Sequence, residues 1–132
     1  MTQRMLDTNV VSALLRDPAG AVARRIRTLA EPVSVSIIVA AELRYGAARK
    51  GSDRLSASLK RVLEGVEIEP LSAPIDAVYG QLRARLERLG RPMGANDLFI
   101  AAHALTLGRV LVTDDRAFAH VPGLDVENWL AA

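Results

Sequence analysis

The chain has no cysteine among its 132 residues, which excludes disulfide staples and thiolate metal sites. A reducing, cytoplasmic setting fits that composition. Only two histidines are present, His103 and His120, too few for a histidine-based nuclease or a zinc cluster. The aromatics are five, Tyr45, Tyr79, Phe99, Phe118 and Trp129, so stacking platforms for unpaired bases are scarce and most of these rings are expected in the core. The longest stretch free of Asp, Glu, Lys and Arg covers residues 98–108, too short to span a membrane. Charge and strand pattern begin at Arg4, so no signal peptide is expected.

What is present is ordinary for a globular domain: half the residues are hydrophobic, a quarter charged, and the net charge is +2. One domain over residues 1–132 is expected, long enough to bury a core unaided. Many arginines fall in helix-like segments, among them Arg24, Arg25, Arg27, Arg44, Arg49, Arg83, Arg85 and Arg88. Solvated helix faces and an anionic partner both account for them, and arginine suits phosphate better than lysine does.

Hydrophobic periodicity alternates between the two regular structures. Short apolar or alternating runs predict strands at residues 3–7, 33–36, 66–70 and 124–127, and a continuous apolar run predicts a buried strand at 109–113. Amphipathic spacing predicts helices at 8–15, 18–30, 37–49, 52–64 and 72–89, with Pro18 in a first turn and Gly51 as a C-terminal cap. Residues 96–107 are apolar nearly all round, which predicts a buried helix. Strands alternating with helices imply right-handed crossovers and an α/β fold, a mainly parallel sheet of four to five strands covered on both faces.

The acids fall at telling places. Asp7 ends the first strand. Glu42 follows five apolar residues on a helix. Asp97 opens the most apolar helix, and Asp114 and Asp115 follow the 109–113 strand. Taken singly, each has a plain structural explanation: Asp7 as a helix cap, Asp97 as a complement to the helix dipole, Asp114 or Asp115 as a turn residue, Glu42 in an ion pair with Arg44 or Arg49. Taken together, carboxylates converging in a dry cleft repel one another, and a divalent metal resolves that repulsion. Only hard oxygen ligands are on offer, which selects Mg²⁺ or Mn²⁺ over zinc. Setting the five acids aside leaves 17 basic against 10 acidic side chains elsewhere. An acidic metal centre in a basic surface suits hydrolysis of a phosphodiester polyanion.

Four blocks carry a resemblance: Met5-Leu6-Asp7-Thr8-Asn9, the run from Ser36 through Glu42 to Gly46, Asn96-Asp97-Leu98-Phe99-Ile100-Ala101-Ala102-His103, and Leu111-Val112-Thr113-Asp114-Asp115-Arg116-Ala117-Phe118. In order and spacing they resemble PIN-domain nucleases, specifically the VapC-type toxins of bacterial toxin–antitoxin pairs. The resemblance implies a three-layer α/β/α PIN-like fold whose acids bind Mg²⁺ or Mn²⁺ and cleave RNA, leaving 5′-phosphate and 3′-hydroxyl ends, with growth arrest as the outcome. By position, Asp7, Glu42 and Asp97 match the regular acids. Asp115 matches the fourth through the spacing Thr113-x-Asp115-x-x-Phe118, with Asp114 as the alternative. Thr8 and Thr113 are candidates to hold a metal-bound water, and Asn9 and Asn96 to orient the site. His103 lies six residues past Asp97, about 240° round the helix, which predicts packing or a hydrogen bond over metal binding. Partners implied by the resemblance are a VapB-type antitoxin, an RNA substrate, a second copy of the chain, and DNA only through the antitoxin. The alternative implied by the same resemblance is a PIN-fold binding module that works with a DNA-binding antitoxin in transcriptional autoregulation.

Overall fold

A computed structural model describes residues 2–130. Twelve short elements follow one another: β1 (Arg4–Leu6), α1 (Thr8–Arg16), α2 (Ala21–Thr28), β2 (Ser34–Ser36), α3 (Ile37–Lys50), α4 (Asp53–Glu64), β3 (Glu67–Glu69), α5 (Ile75–Arg88), α6 (Ala95–Leu107), β4 (Val110–Val112), a 3-10 turn (Arg116–His120) and β5 (Val126–Glu127). The five strands form one sheet in the order β3-β2-β1-β4-β5, and every pairing is parallel.

Both faces of that sheet are covered, as the sequence pattern requires. Successive residues of a strand point to opposite faces. Met5 and Leu6 in β1, and Leu111 and Val112 in β4, are all fully buried. Helices therefore lie on each side. The largest contribution comes from α6, where Leu98, Ile100, Ala101, Ala102, His103 and Ala104 are buried and Phe99 between them is half-buried. The three-layer α/β/α arrangement expected from alternation is the one observed.

Strand order matters more than strand count. The chain runs outward from β1 to β2 and β3, then returns to place β4 on the other side of β1. The carboxyl ends of β1 and β4 are therefore neighbours across a reversal of strand order, where open parallel sheets form crevices for ligands. Leu6 pairs with Val112 at this edge. Among the residues after them, Asp7 following one strand and Asp115 following the other are delivered to a single crevice.

Two helix starts differ from expectation, both at prolines. Helix α2 begins at Ala21 instead of Pro18, because residues 17–20 close a turn in which the Gly20 N–H donates to the Asp17 carbonyl at 3.0 Å. Helix α5 begins at Ile75, with Pro74 at its N-cap, three residues later than periodicity suggests. Gly51 and Gly108 end α3 and α6 in the left-handed conformation, at φ 63° and 65°. The expected strand at residues 124–127 shrinks to Val126–Glu127.

Candidate active site

Asp7 is where β1 stops and α1 starts. Its N–H donates to the Val112 carbonyl at 2.9 Å, and its own carbonyl accepts from the N–H groups of Val10 and Val11. Strand and helix thus fix its backbone together. Its side chain is held twice more: Oδ1 accepts from the Thr8 N–H at 2.8 Å as the helix N-cap, and Oδ2 accepts from the Thr113 hydroxyl at 2.7 Å. Asp7 is 5% exposed. Burial pushes its carboxyl above the usual range, the hydrogen bonds from Thr113 and Thr8 pull it back, and the charges of Glu42 and Asp115 raise it again. Cap and candidate ligand are the same residue.

Glu42 arrives on α3, which Ser36 starts by accepting the Ile38 N–H at 3.1 Å. The Thr8 hydroxyl donates to Glu42 Oε1 at 2.7 Å, and the Asn96 amide reaches Oε2 at 3.5 Å. Glu42 is half-buried, less enclosed than its apolar surroundings in sequence suggest. The ion pair with Arg44 or Arg49 is not formed among the described residues, whose salt bridges lie elsewhere.

Asp97 sits in the first turn of α6, behind a Gly94 N-cap that offers no side-chain cap of its own. Its carboxyl is pushed up to about 6, first by burial and then by the charges of Asp7, Asp115 and Glu42. The favourable helix-dipole position is real, yet burial, with like charge added to it, overrides it.

Asp115 starts the 3-10 turn by accepting the Ala117 N–H at 2.9 Å, and its own N–H donates to the Thr113 hydroxyl at 3.0 Å. It lines a cavity of about 420 Å³ together with Asp7, Thr8, Asn9, Ser12, Arg16, Glu42 and Asp97. Asp114 is not part of that lining. It accepts a hydrogen bond from the Asn9 amide instead. The Asn9 Oδ1, by contrast, is buried without a hydrogen-bond partner among the described residues.

The two threonines aim the acids. Thr8 caps against Asp7 through its N–H and holds Glu42 through its hydroxyl. Thr113 holds Asp7 and receives the N–H of Asp115. His103, as expected, faces away from the acids: it is fully buried, with Nδ1 2.8 Å from the Ser36 hydroxyl, and burial lowers its pKa.

Among the described residues, no lysine or arginine forms an ion pair with Asp7, Glu42, Asp97 or Asp115. Nor do three or more of these acids form a group that could together hold a metal ion. The unpaired oxygen donors, and not that second fact, are what suit Mg²⁺ or Mn²⁺. Such ions take oxygen donors and keep several of their own waters, so they need one or two carboxylates within direct reach and not a complete protein shell. The residues present fit a hydrated divalent cation.

Two cavity residues escape a sequence reading, Ser12 and Arg16. Their only signal is spacing: Thr8, Ser12 and Arg16 recur every fourth residue along one face of α1. A second, more apolar cavity of about 330 Å³ continues from this face, bounded by Leu15, Leu43, Ala47 and Leu59 with Lys50 at its rim.

Comparison with known proteins places this geometry in context. The PIN-domain family model matches residues 4–124. The chain is 36% identical over 129 residues to ribonuclease VapC2 of Rickettsia felis, covering 95% of this chain and 96% of that protein. It is 32% identical to the tRNA(fMet)-specific endonuclease VapC of Shigella flexneri, over 98% of this chain and 99% of that one. Among solved structures, VapBC2 of Rickettsia felis bound to a DNA fragment from its promoter is similar with a TM-score of 0.91 at 34% identity, covering 97% of this chain and 99% of that chain. DNA-bound VapBC of Salmonella typhimurium gives 0.90 at 32% identity, covering 98% and 99%.

Proposed function

Because the chain belongs to the PIN-domain family and, within it, to the VapC-type ribonucleases, we propose that it is the Mg²⁺- or Mn²⁺-dependent endoribonuclease of a toxin–antitoxin pair, with Asp7, Glu42, Asp97 and Asp115 as its catalytic acids. One observation carries the reading. Four carboxylates, from the ends of β1 and β4, the second turn of α3 and the first turn of α6, line one cavity, and among the described residues none of them is in an ion pair.

Asp7 and Asp97 are the residues to hold the cation, with Glu42 and Asp115 completing its surroundings. When bound, the metal supplies Lewis acidity and a water of lowered pKa. The rest of the chemistry belongs to this chain. Thr113 and the Thr8 N–H fix both oxygens of Asp7, so its lone pairs face the cavity in one orientation. The Thr8 hydroxyl and Asn96 do the same for Glu42. Asn9 draws Asp114 aside, which leaves Asp115 as the acid after β4 that enters the cavity. Asp97 must be ionised to take up the cation, so at limiting metal activity should fall as the pH drops below about 6.

The relatives named for tRNA(fMet) make initiator tRNA the first substrate to test. DNA-bound VapBC relatives support a VapB-type antitoxin as partner, with promoter DNA reached through it. Growth arrest on release from that partner, and a homodimer of the toxin, complete the reading. The test is incubation of purified protein with initiator tRNA and a panel of structured RNAs in Mg²⁺. Discrete cleavage abolished by chelator supports the enzyme. No cleavage at any metal concentration supports the binding module that acts through the antitoxin.

A further inference from the structure

We propose that Arg16 is a substrate-positioning residue, which holds an RNA phosphate next to the scissile one along the Thr8–Ser12–Arg16 face of α1. The inference rests on the reading of the site as an RNA-cleaving centre.

Arg16 is the one cation lining the acidic cavity among the described residues, although the chain carries 17 lysines and arginines. It borders the neighbouring apolar cavity as well, so it stands at the junction of the two. An arginine beside four carboxylates would ordinarily be expected to pair with one of them. Arg16 forms no salt bridge among the described residues, and its side chain is exposed. Its charge therefore remains available to an incoming anion.

Its distance along the helix suits that role. Eight residues separate Thr8 from Arg16, about 12 Å of helix axis, and helical side chains lean back toward the N-terminus, here toward the acids. The guanidinium thus leans back along α1 toward the cavity it shares with the acids, where a phosphate beside the one they act on comes within its reach. Ser12, one turn closer, adds a hydroxyl donor on the same line. A polyanion entering an acidic pocket is repelled until metal binds, and a flanking arginine offsets that repulsion while fixing the register of the strand. The same arginine complements the C-terminal end of the α1 dipole, which lysine would do equally well. Planar, bidentate recognition of phosphate is what lysine cannot reproduce.

Binding and turnover separate the possibilities. Initiator tRNA binding is measured in Mg²⁺ with a cleavage-deficient Asp97→Asn protein, alone and combined with Arg16→Gln or Arg16→Lys, at several salt concentrations. Arg16→Gln is expected to weaken binding about 5- to 10-fold and to flatten the salt dependence by about one phosphate contact. Arg16→Lys should retain the salt slope and recover only part of the affinity. With the acids intact, Arg16→Gln should raise KM with little change in kcat. Equal affinity and salt slope in the Arg16→Gln protein overturn the inference even where the parent cleaves RNA. Arg16-dependent binding in a protein that cleaves nothing upholds the RNA contact and overturns the nuclease reading instead. A parent that binds no RNA at any salt concentration overturns both.

Discussion

The Asp97 carboxyl, raised from 3.8 to about 6 by burial and by its acidic neighbours, keeps a proton in the folded protein at a pH where the unfolded chain has released it. Between about pH 4 and pH 6 the folded state binds more protons, so stability falls as the pH rises, and above about 6 the full cost is present. Asp97 is half-buried, and solvent screening limits that cost to roughly 1–2 kcal/mol. Asp97→Asn should therefore raise the melting temperature of the metal-free protein at pH 7.5 by roughly 3–8 °C, with no gain near pH 4, while abolishing RNA cleavage. Scanning calorimetry in chelator at the two pH values checks this, and a lower melting temperature at pH 7.5 would contradict it. Thr113 gives the complementary case. Thr113→Val leaves a buried Asp7 oxygen without its 2.7 Å donor, at a cost of about 1–3 kcal/mol, and should weaken metal binding about 10- to 100-fold. Thr113→Ser, which keeps the hydroxyl, should behave nearly as the parent in the same titration.

At the scale of elements, helix starts do most of the positioning. Ser36 caps α3 and contacts buried His103, so one hydroxyl ties the helix bearing Glu42 to the helix bearing Asp97. Ser36→Ala should cost about 1–2 kcal/mol from the lost cap alone, read as a shift in denaturant midpoint at unchanged slope. A slope that changes would mean that the core itself had loosened. The strands and helices were legible because their periods are clean: Val35 alternates with serines, Leu82 and Leu86 recur at helical spacing, and α6 is apolar all round. Pro18 and Pro74 were harder to read, since proline fits a first helical turn and an independent turn equally well. The hydrogen bond from Gly20 to Asp17 decides for the turn, and local sequence does not reveal it.

At the scale of the whole molecule, strand order makes the site. Residues 7 and 115 meet because β4 returns to the far side of β1, a consequence of crossover topology and not of any local pattern. Asp7, Glu42 and Asp97 could be singled out in the sequence since each interrupts or opens an apolar run. Asp115 was preferred to Asp114 on the family spacing. Asp115 lines the cavity with the other three acids, whereas Asp114 is turned to Asn9 across more than a hundred residues, a contact that no sequence rule anticipates. Ser12 and Arg16 were invisible for a similar reason, as a polar face on a short helix looks like any solvated surface. The C-terminal strand is secured from outside the site: Glu127 accepts from Arg4 at 2.8 Å and from the Trp129 ring at 3.1 Å, and Arg25 lies over that ring.

The central claim is that these acids jointly form a divalent-cation site. Titration calorimetry of Mn²⁺ into the purified protein tests it most directly. At pH 7.5 we expect saturable binding that is weakened at least about tenfold by Asp7→Asn or Asp97→Asn, and by lowering the pH to 5, where Asp97 is protonated. Absence of binding at pH 7.5, or binding that neither substitution alters, would contradict the account.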